Sequence, residues 1–289
     1  MRFNSFDDLL NHGTKLLAKG PIALIFVEDE VEIDSTLRHH VDLGFKHVFA
    51  IMPKAFKMAY DVSEEVCRVD CENTTGQAMV DMVNRLAVAA PGTWFYYCFN
   101  AEYLIFPFCE SRKIGEMLAF HAEERRDAML TYVLDLYADN LAEHPNAVSL
   151  EHAQIDKTGY YALGRPDPNN HSHPKERQLN FYGGLRWRFE EHVPEARRKI
   201  DRISIFRAKE GVHMNEDFTF SEEEYNTFAC EWHNNITAAV CSFRTAKALK
   251  SNPGSTYDIR NFKWHNSVPF EWHSQQLLDL GLVEPGQWF

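Results

Sequence analysis

The stretch Trp94–Pro107, WFYYCFNAEYLIFP, decides how this chain is interpreted. Its first part is a run of aromatic and β-forming residues, which predicts a buried strand over Trp94–Phe99. Asn100 and Glu102 follow directly, and residues two positions apart in an extended segment point to the same side. Because ligands of open α/β sheets sit at strand ends, this amide and this carboxylate predict a binding site.

The chain before this stretch alternates apolar runs with amphipathic segments. Ile22–Val27 and His47–Met52 predict buried parallel strands, and Val66–Val69 predicts a weaker third strand. The predicted helices are 5–18, Ile33–Leu43 and Gly76–Ala90. Such strand–helix–strand alternation with short connections predicts a doubly wound, mainly parallel sheet for residues 21–108, with helices on both faces.

The pattern after Pro107 is less regular. The predicted elements are a helix at Ile114–Arg126, a strand at Ala128–Ala138, a loop at 164–178, a strand at Arg202–Arg207 and a long helix at Ser221–Leu249. Ser221 and Glu224 form a capping-box pattern at the start of that helix. No linker separates two cores, so we expect residues 1–289 to form one domain with a C-terminal elaboration.

Composition and charge limit the classes of function. The 289 residues carry a formal charge of −12, which argues against nucleic acid as the main partner because a phosphate backbone needs a basic footprint. A single nucleotide stays possible, since one cation and a few arginines can hold it. The six cysteines form no CxxC pair, which favours buried, reduced thiols in a cytoplasmic protein.

The first residues lack the basic-then-apolar pattern of a signal peptide. No apolar run approaches the ~20 residues that a transmembrane helix needs. We therefore expect a cytoplasmic protein without a transmembrane segment. Peripheral attachment at the inner membrane stays open.

Several short motifs, taken in order over roughly residues 20–250, resemble the family 2 glycosyltransferases, in particular the small bacterial branch with a bare GT-A domain. That family has an Asn-Glu pair after its first strand, then a helix that ends in a His and a Leu-Gly turn, then a helix that begins with Gln. The corresponding positions here are Asp29-Glu30, His40, Leu43-Gly44 and Gln77.

The acidic D-x-D motif, with which many nucleotide-sugar transferases hold a divalent cation, corresponds to Asn100-Ala101-Glu102. Two later motifs correspond to GGLRWRFEEHVPEARRKIDRISIFRA at 183–208 and to Trp232-His233. This chain departs from the family in two places. The first acid of the motif is an amide, and Met52-Pro53-Lys54-Ala55 replaces an acidic turn after the second strand.

The resemblance implies a GT-A-like α/β fold, with a doubly wound, mainly parallel sheet, helices on both faces and a helical C-terminal elaboration. Residues 21–108 would be the nucleotide-binding half, 109–250 the acceptor-side half and 251–289 a C-terminal extension. The implied activity moves a sugar from a nucleoside-diphosphate sugar to a glycan, lipid-linked or protein acceptor, assisted by Mn²⁺ or Mg²⁺. The alternative is a degenerate, non-catalytic binding or scaffold protein on the same fold, which the two departures favour.

The metal ligands that the resemblance implies are Glu102, Asn100 and His233. A cation that bridges two phosphates acts as a Lewis acid, and hard cations prefer oxygen ligands. A histidine can complete a metal site that already holds a carboxylate. The competing interpretation is that Asn100 and Glu102 only polarise a turn and that His233 packs in the core.

The candidate nucleotide contacts are Asp29, Glu30, Asn100, Arg186 and Arg188. Carboxylates after a buried strand can accept hydrogen bonds from a base or a ribose, and we expect Asp29 and Glu30 to share one cleft with Glu102. Asn100 can bind ribose, and arginine suits bidentate contact with phosphate. The alternative for Asp29 and Glu30 is that they are acids at a helix N-terminus, where the helix dipole favours them. The alternative for Arg186 and Arg188 is a basic surface turn that pairs with Glu190 and Glu191.

Transfer with inversion also needs a base that takes the proton of the acceptor hydroxyl. Asp135 is one candidate, because burial in its apolar segment would raise its pKa. Glu190 is the other candidate, and no motif decides between them.

Overall fold

The computed structural model describes residues 1–228 and 237–285. In chain order, the strands of this part are β1 (Arg2–Phe3), β2 (Ile22–Phe26), β3 (His47–Met52), β4 (Cys67–Asp70), β5 (Trp94–Phe99), β6 (Glu102–Ile105), β7 (Ala128–Ala138), β8 (Ala153–Asp156), β9 (Tyr161–Pro166), β10 (Pro174–Tyr182), β11 (Asp201–Arg207), β12 (Ala239–Ser242) and β13 (Ser267–Pro269). The α-helices are α1 (Phe6–His12), α2 (Thr14–Leu17), α3 (Ile33–Asp42), α4 (Tyr60–Glu65), α5 (Gly76–Ala89), α6 (Ile114–Glu123), α7 (Gly184–Arg188), α8 (Arg244–Ser251) and α9 (Ser274–Asp279).

One large sheet organises the molecule, with the strand order β1-β4-β3-β2-β5-β11-β7-β12-β6. The strands from β1 to β5 in this order are all parallel, as are β7 and β12. β8 extends the sheet from β7, and β13 pairs with β8. The chain is therefore a mixed α/β protein with a large, mostly parallel central sheet.

The predicted arrangement of the N-terminal half is confirmed. β3, β2 and β5 lie side by side and parallel, with Ile22 opposite both His47 and Phe95. Alternate residues of β2 enter different apolar clusters: Leu24 packs in a cluster with residues of α5, and Ile25 packs in a cluster with residues of α3. The uniformly apolar sequence of β2 follows from this burial, because helices cover both faces of the sheet.

Strand direction then determines which residues meet at one edge. β11 is antiparallel to both β5 and β7, and β6 is antiparallel to β12. The carboxyl ends of β2, β5, β7 and β12 therefore share an edge with the first residues of β11 and β6. We call this the carboxyl edge; it brings Glu102, which begins β6, close to Arg202, which is the second residue of β11.

The prediction of a long helix over Ser221–Leu249 is wrong for the described part of that range. Ala239–Ser242 forms β12, a fully buried strand between β7 and β6, and α8 begins only at Arg244. Apolar residues buried on both sides of a strand give a continuous run that periodicity alone does not separate from a helix. The expected cap is absent too, since the Oγ of Ser221 accepts from the N–H of His213 at 3.1 Å.

The prediction of a loop at 164–178 is wrong at both ends. β9 and β10 form an antiparallel hairpin, with Leu163 opposite Asn180, and only residues 167–173 connect them. β9 is almost wholly exposed, so its side chains carry no apolar pattern that would mark a strand. Backbone pairing, which sequence patterning does not report, holds this hairpin.

The C-terminal extension is less helical than predicted. Between 251 and 285 it contains the short helix α9 and the strand β13, whose Val268 lies opposite Ile155 of β8. The described cysteines are free thiols, namely Cys67, Cys71, Cys98, Cys109 and Cys241. Among the helices of residues 1–228 and 237–285, none has the length and apolarity required to cross a membrane.

Candidate functional site at the carboxyl edge

The side chain of Asn100 holds the segment that follows β2. Its Oδ1 accepts from the backbone N–H of Glu28 at 2.8 Å. Its Nδ2 donates to Oδ1 of Asp29 at 2.7 Å and to the carbonyl oxygen of Val31 at 2.8 Å. Asn100 is fully buried. An ionised aspartate has no hydrogen to donate, so the amide at this position has a structural reason.

Glu102 is fully buried, and both of its oxygens have protein donors. Oε2 accepts from Nη2 of Arg202 at 2.7 Å and from the N–H of Phe99 at 2.9 Å, and Oε1 accepts from Oγ of Ser242 at 2.9 Å. Burial acts to raise the pKa of Glu102, but the positive charges of Arg202 and Arg244 outweigh it and keep the pKa below its usual value. Glu102 is therefore an ionised carboxylate in a buried pair with Arg202.

The first turn of α8 supplies two further cations to this edge. Nε and Nη2 of Arg244 each donate to one oxygen of Glu28 at 2.6 Å. Nζ of Lys247, one helical turn later, lies 2.9 and 3.0 Å from the two oxygens of Asp29. Burial acts to raise the pKa of Asp29, yet Lys247 and the hydrogen bonds lower it below its usual value. The acids that follow β2 are thus paired with α8.

Asp135, a predicted base, lies within β7 opposite Ser242 of β12 and is fully enclosed. Its Oδ2 accepts from the N–H of Arg186 at 3.3 Å, and its Oδ1 lies 3.6 Å from Nε of the same residue. Burial raises the pKa of Asp135, and Arg186 opposes the increase. This carboxyl group therefore binds a proton more readily than an exposed aspartate does.

The glycine pair of the Gly-Gly-x-Arg segment covers Asp135. Gly184 has φ +62°, and a Cβ there would lie 2.9 Å from Oδ2 of Asp135. A Cβ on Gly183 would lie 2.3 Å from Cδ1 of Tyr160. Neither position has room for a side chain, so the close approach of this turn to Tyr160 accounts for Gly183 and its close approach to Asp135 of β7 accounts for Gly184.

The arginines of the same segment point inward instead of forming a surface turn. Nε of Arg186 donates to Oγ1 of Thr245 at 3.1 Å, and its Nη1 donates to the carbonyl oxygen of Lys199 at 2.6 Å. Nη1 of Arg188 lies 3.0 and 3.1 Å from the two oxygens of Asp156. The two arginines thus pair with Asp135 and Asp156 and not with the neighbouring glutamates.

The remaining predicted residues lie elsewhere or are not described. Glu30 is exposed beside Asp29. Glu190 is exposed on a short 3₁₀ helix, with its Oε2 3.6 Å from Nη1 of Arg198, and so is not brought to Asp135. His233 lies outside the described residues. The structure thus brings together Asp29, Asn100, Glu102, Asp135 and Arg186 from the predicted set.

The described residues do not fit a directly coordinated divalent cation. Within 1–228 and 237–285, no three His, Cys, Asp or Glu side chains are grouped so that they could hold a metal ion. Glu102 already accepts from Arg202, Ser242 and Phe99, and the Oδ1 of Asn100 accepts from Glu28. A cation would have to displace these donors from a fully buried carboxylate, at a large cost in desolvation.

Sequence reasoning missed the cations that hold this edge, namely Arg202, Arg244 and Lys247. Arg202 lies in the predicted strand Arg202–Arg207, but only the antiparallel direction of β11 shows that the first residues of this strand reach the carboxyl edge. Arg244 and Lys247 fall in the last turns of the predicted helix Ser221–Leu249, whereas they lie in the first turn of α8 in the structure. For Arg202, the direction of its strand is the information that the sequence pattern lacks.

Comparison with known proteins adds no assignment: no protein-family model matches the chain, and no curated protein matches it significantly.

Proposed function

We propose that this protein transfers a sugar from a nucleoside-diphosphate sugar to an acceptor hydroxyl at the carboxyl edge. The observation that carries this proposal is the convergence there of acids and bases from distant parts of the chain. Glu28 and Asp29 come from the end of β2, Glu102 from β6, and their partners from β11 and α8. Ligands of open α/β sheets bind outside the carboxyl ends of strands.

The order of motifs supports the same proposal, and the geometry suggests a role for each group. Asp29 is the proposed contact for a ribose or base, because its side chain is 43% exposed while its position is fixed by Asn100 and Lys247. Glu30 is the exposed second contact. Arg244, whose side chain is 30% exposed, is the proposed first contact for the diphosphate.

The proposed reaction is a direct displacement at the anomeric carbon. The acceptor oxygen forms a bond to that carbon while the bond from the carbon to the phosphate oxygen breaks. The nucleoside diphosphate leaves with the bonding electrons, and a base takes the proton of the acceptor hydroxyl. Asp135 is favoured over Glu190 as this base, because Asp135 lies against Arg186 at the carboxyl edge whereas Glu190 pairs with Arg198. The role requires the turn at Gly183-Gly184 to open, since this turn covers Asp135.

A second candidate is a non-catalytic binding or scaffold protein on the same fold. The saturation of Asn100 and Glu102 by internal hydrogen bonds favours it, because both residues are explained by stability alone. A scaffold protein need bind no nucleotide, and a non-catalytic binding protein holds one without turnover. Nucleotide binding therefore separates the transferase from a scaffold, and release of nucleoside diphosphate from a donor separates it from a non-catalytic binding protein.

The first experiment is a thermal-shift panel of UDP, GDP, ADP, CDP and dTDP with wild type, Asp29→Asn and Asp81→Asn. A ligand that binds only the folded state raises the melting temperature by mass action. We expect one nucleotide to raise the melting temperature of wild type and of the control Asp81→Asn, whose residue lies on α5. Asp29→Asn should lose most of this increase. A panel without any increase would contradict the proposal.

A further inference from the structure

Each cation named so far at the carboxyl edge is paired with one carboxylate, while Glu30 beside Asp29 is exposed. Four carboxylates each have one basic partner, and the pairs are Glu28–Arg244, Asp29–Lys247, Glu102–Arg202 and Asp135–Arg186. A divalent cation needs an excess of negative ligands, and a set with equal numbers of acids and bases does not provide it. An anionic ligand, in contrast, could bind these four cations by replacing a carboxylate as their partner.

Three of these cations form what we call the arginine cluster, Arg186, Arg202 and Arg244. The guanidinium carbons of Arg244 and Arg202 lie 3.7 and 5.8 Å from the centroid of the Phe99 ring. Arg186 joins them through Thr245, the residue after Arg244. Burial lowers the pKa of Arg186, and the charges of Arg202 and Arg244 lower it further against the opposing effect of Asp135.

All three members of the arginine cluster have donors to spare. Arg186 uses Nε for Thr245 and Nη1 for the carbonyl oxygen of Lys199, and among the described residues its Nη2 has no hydrogen-bonded acceptor. Arg244 uses Nε and Nη2 for Glu28, and Arg202 uses Nε for Ser204 and Nη2 for Glu102. Within residues 1–228 and 237–285, no acceptor is hydrogen-bonded to Nη1 of either residue. The side chain of Arg244 is 30% exposed, so a ligand can reach it from solvent. A guanidinium group offers five N–H donors in a plane, which suits bidentate contact with phosphate.

We propose that a diphosphate group is held directly by the arginine cluster and Lys247, without a divalent cation, and that it displaces Glu28 from Arg244. This inference rests on the proposed function for the nucleotide part of the ligand, but the anion site itself does not need it. Glu28 competes with the phosphate for the same guanidinium. Removal of the charge of Glu28 should therefore tighten binding, and removal of Arg244 should weaken it.

The experiment is isothermal titration of inorganic pyrophosphate into the whole chain, once in EDTA and once in Mg²⁺. In EDTA, we expect wild type to bind, Arg244→Gln to bind at least about tenfold more weakly, and Glu28→Gln to bind about threefold or more tightly, in line with the strength of charge-assisted hydrogen bonds. The matched controls come from pairs away from this edge. Arg207→Gln and Glu222→Gln break the exposed pairs with Asp127 and Lys209 and should bind as wild type does.

Three results would overturn the inference: pyrophosphate binding only in Mg²⁺, wild-type affinity in Arg244→Gln, or no binding in either buffer. If Arg244→Gln fails to fold, the tighter binding expected of Glu28→Gln still decides. Titration of nucleoside diphosphates separates this inference from the proposed function. Cation-free pyrophosphate binding without any nucleotide binding keeps the anion site and contradicts the transferase. Nucleotide binding that requires a cation keeps the transferase and contradicts the anion site.

Discussion

Nδ2 of Asn100 donates to Oδ1 of Asp29 across 2.7 Å and so joins the end of β5 to the segment after β2. The residue that breaks the acidic motif is therefore the one that positions the neighbouring acid. Aspartate at position 100 would face the carboxylate of Asp29 at hydrogen-bond distance, and like charges so close repel. The amide at position 100 therefore positions Asp29 by donating to it, which an ionised carboxylate could not do.

Asn100→Asp should destabilise the protein and should not create a metal site. The substitution removes the donations to Asp29 and Val31 and places a second carboxylate against that of Asp29. We expect the free energy of unfolding to fall by about 2–4 kcal/mol, the scale of buried groups left without partners. Urea denaturation measures it. Asn169→Asp, in the exposed connection between β9 and β10, is the control and should change the free energy by less than about 0.5 kcal/mol.

Glu102→Gln should lower the free energy of unfolding more than Asn100→Asp does, because it leaves the buried guanidinium of Arg202 without its charge partner. Breaking one side of a buried pair typically costs about 3–5 kcal/mol. Glu222→Gln, in the surface pair with Lys209, should cost less than about 1 kcal/mol. If Glu102→Gln and Glu222→Gln lowered the free energy of unfolding by the same amount, the buried Glu102–Arg202 pair would contribute no more to stability than a surface pair.

The same variant predicts a pH dependence. The pKa of Glu102 is lower in the folded protein than its usual value of 4.5, so its ionised form stabilises the fold above that pH. This contribution is lost as the pH falls below 4.5 and through the folded-state pKa. The difference in free energy of unfolding between wild type and Glu102→Gln should therefore shrink in acid. A difference that is constant from pH 7 to pH 3 would contradict the assignment.

Gly184→Ala should destabilise the turn over Asp135. The added Cβ would lie 2.9 Å from Oδ2 of Asp135, at a φ of +62°. Gly211 is a matched control, because it has φ +78° with nothing within 4 Å of an added Cβ. We expect the free energy of unfolding to fall by about 1 kcal/mol in Gly211→Ala, from backbone strain alone, and by about 2–4 kcal/mol in Gly184→Ala. If denaturation gave equal losses for the two variants, the structure around Asp135 would accommodate the added Cβ without any further loss of stability.

Asp135→Asn should reduce donor turnover at least about 100-fold, the usual effect of removing a base. Because burial raises the pKa of Asp135, the acid limb of wild-type activity should lie above the usual aspartate pKa of 3.8. Glu190→Gln serves as the control and should keep the wild-type rate and pH profile. If Glu190→Gln loses turnover and Asp135→Asn does not, the base is Glu190.

The strands β2, β3 and β5 could be predicted because they are buried on both faces and leave continuous apolar runs. The same feature explains the wrong prediction at β12, because the apolar run Ala239–Ser242 also fits the predicted helix Ser221–Leu249. At the site, Asp29, Asn100 and Glu102 follow strands in sequence and were predicted to meet. Arg202 meets Glu102 only because β11 runs antiparallel. Local pattern does not contain the direction of a strand, so the partners of the acids could not be predicted.

Release of nucleoside diphosphate from a panel of nucleotide sugars tests the central claim most directly. It should be measured with and without Mg²⁺, on wild type, Arg244→Gln and the control Arg207→Gln. We predict release well above the buffer rate for one donor by wild type and Arg207→Gln, and loss of that release in Arg244→Gln. Absence of release from every donor, by a wild-type protein that binds a nucleoside diphosphate, would contradict the transferase and leave the non-catalytic binding protein.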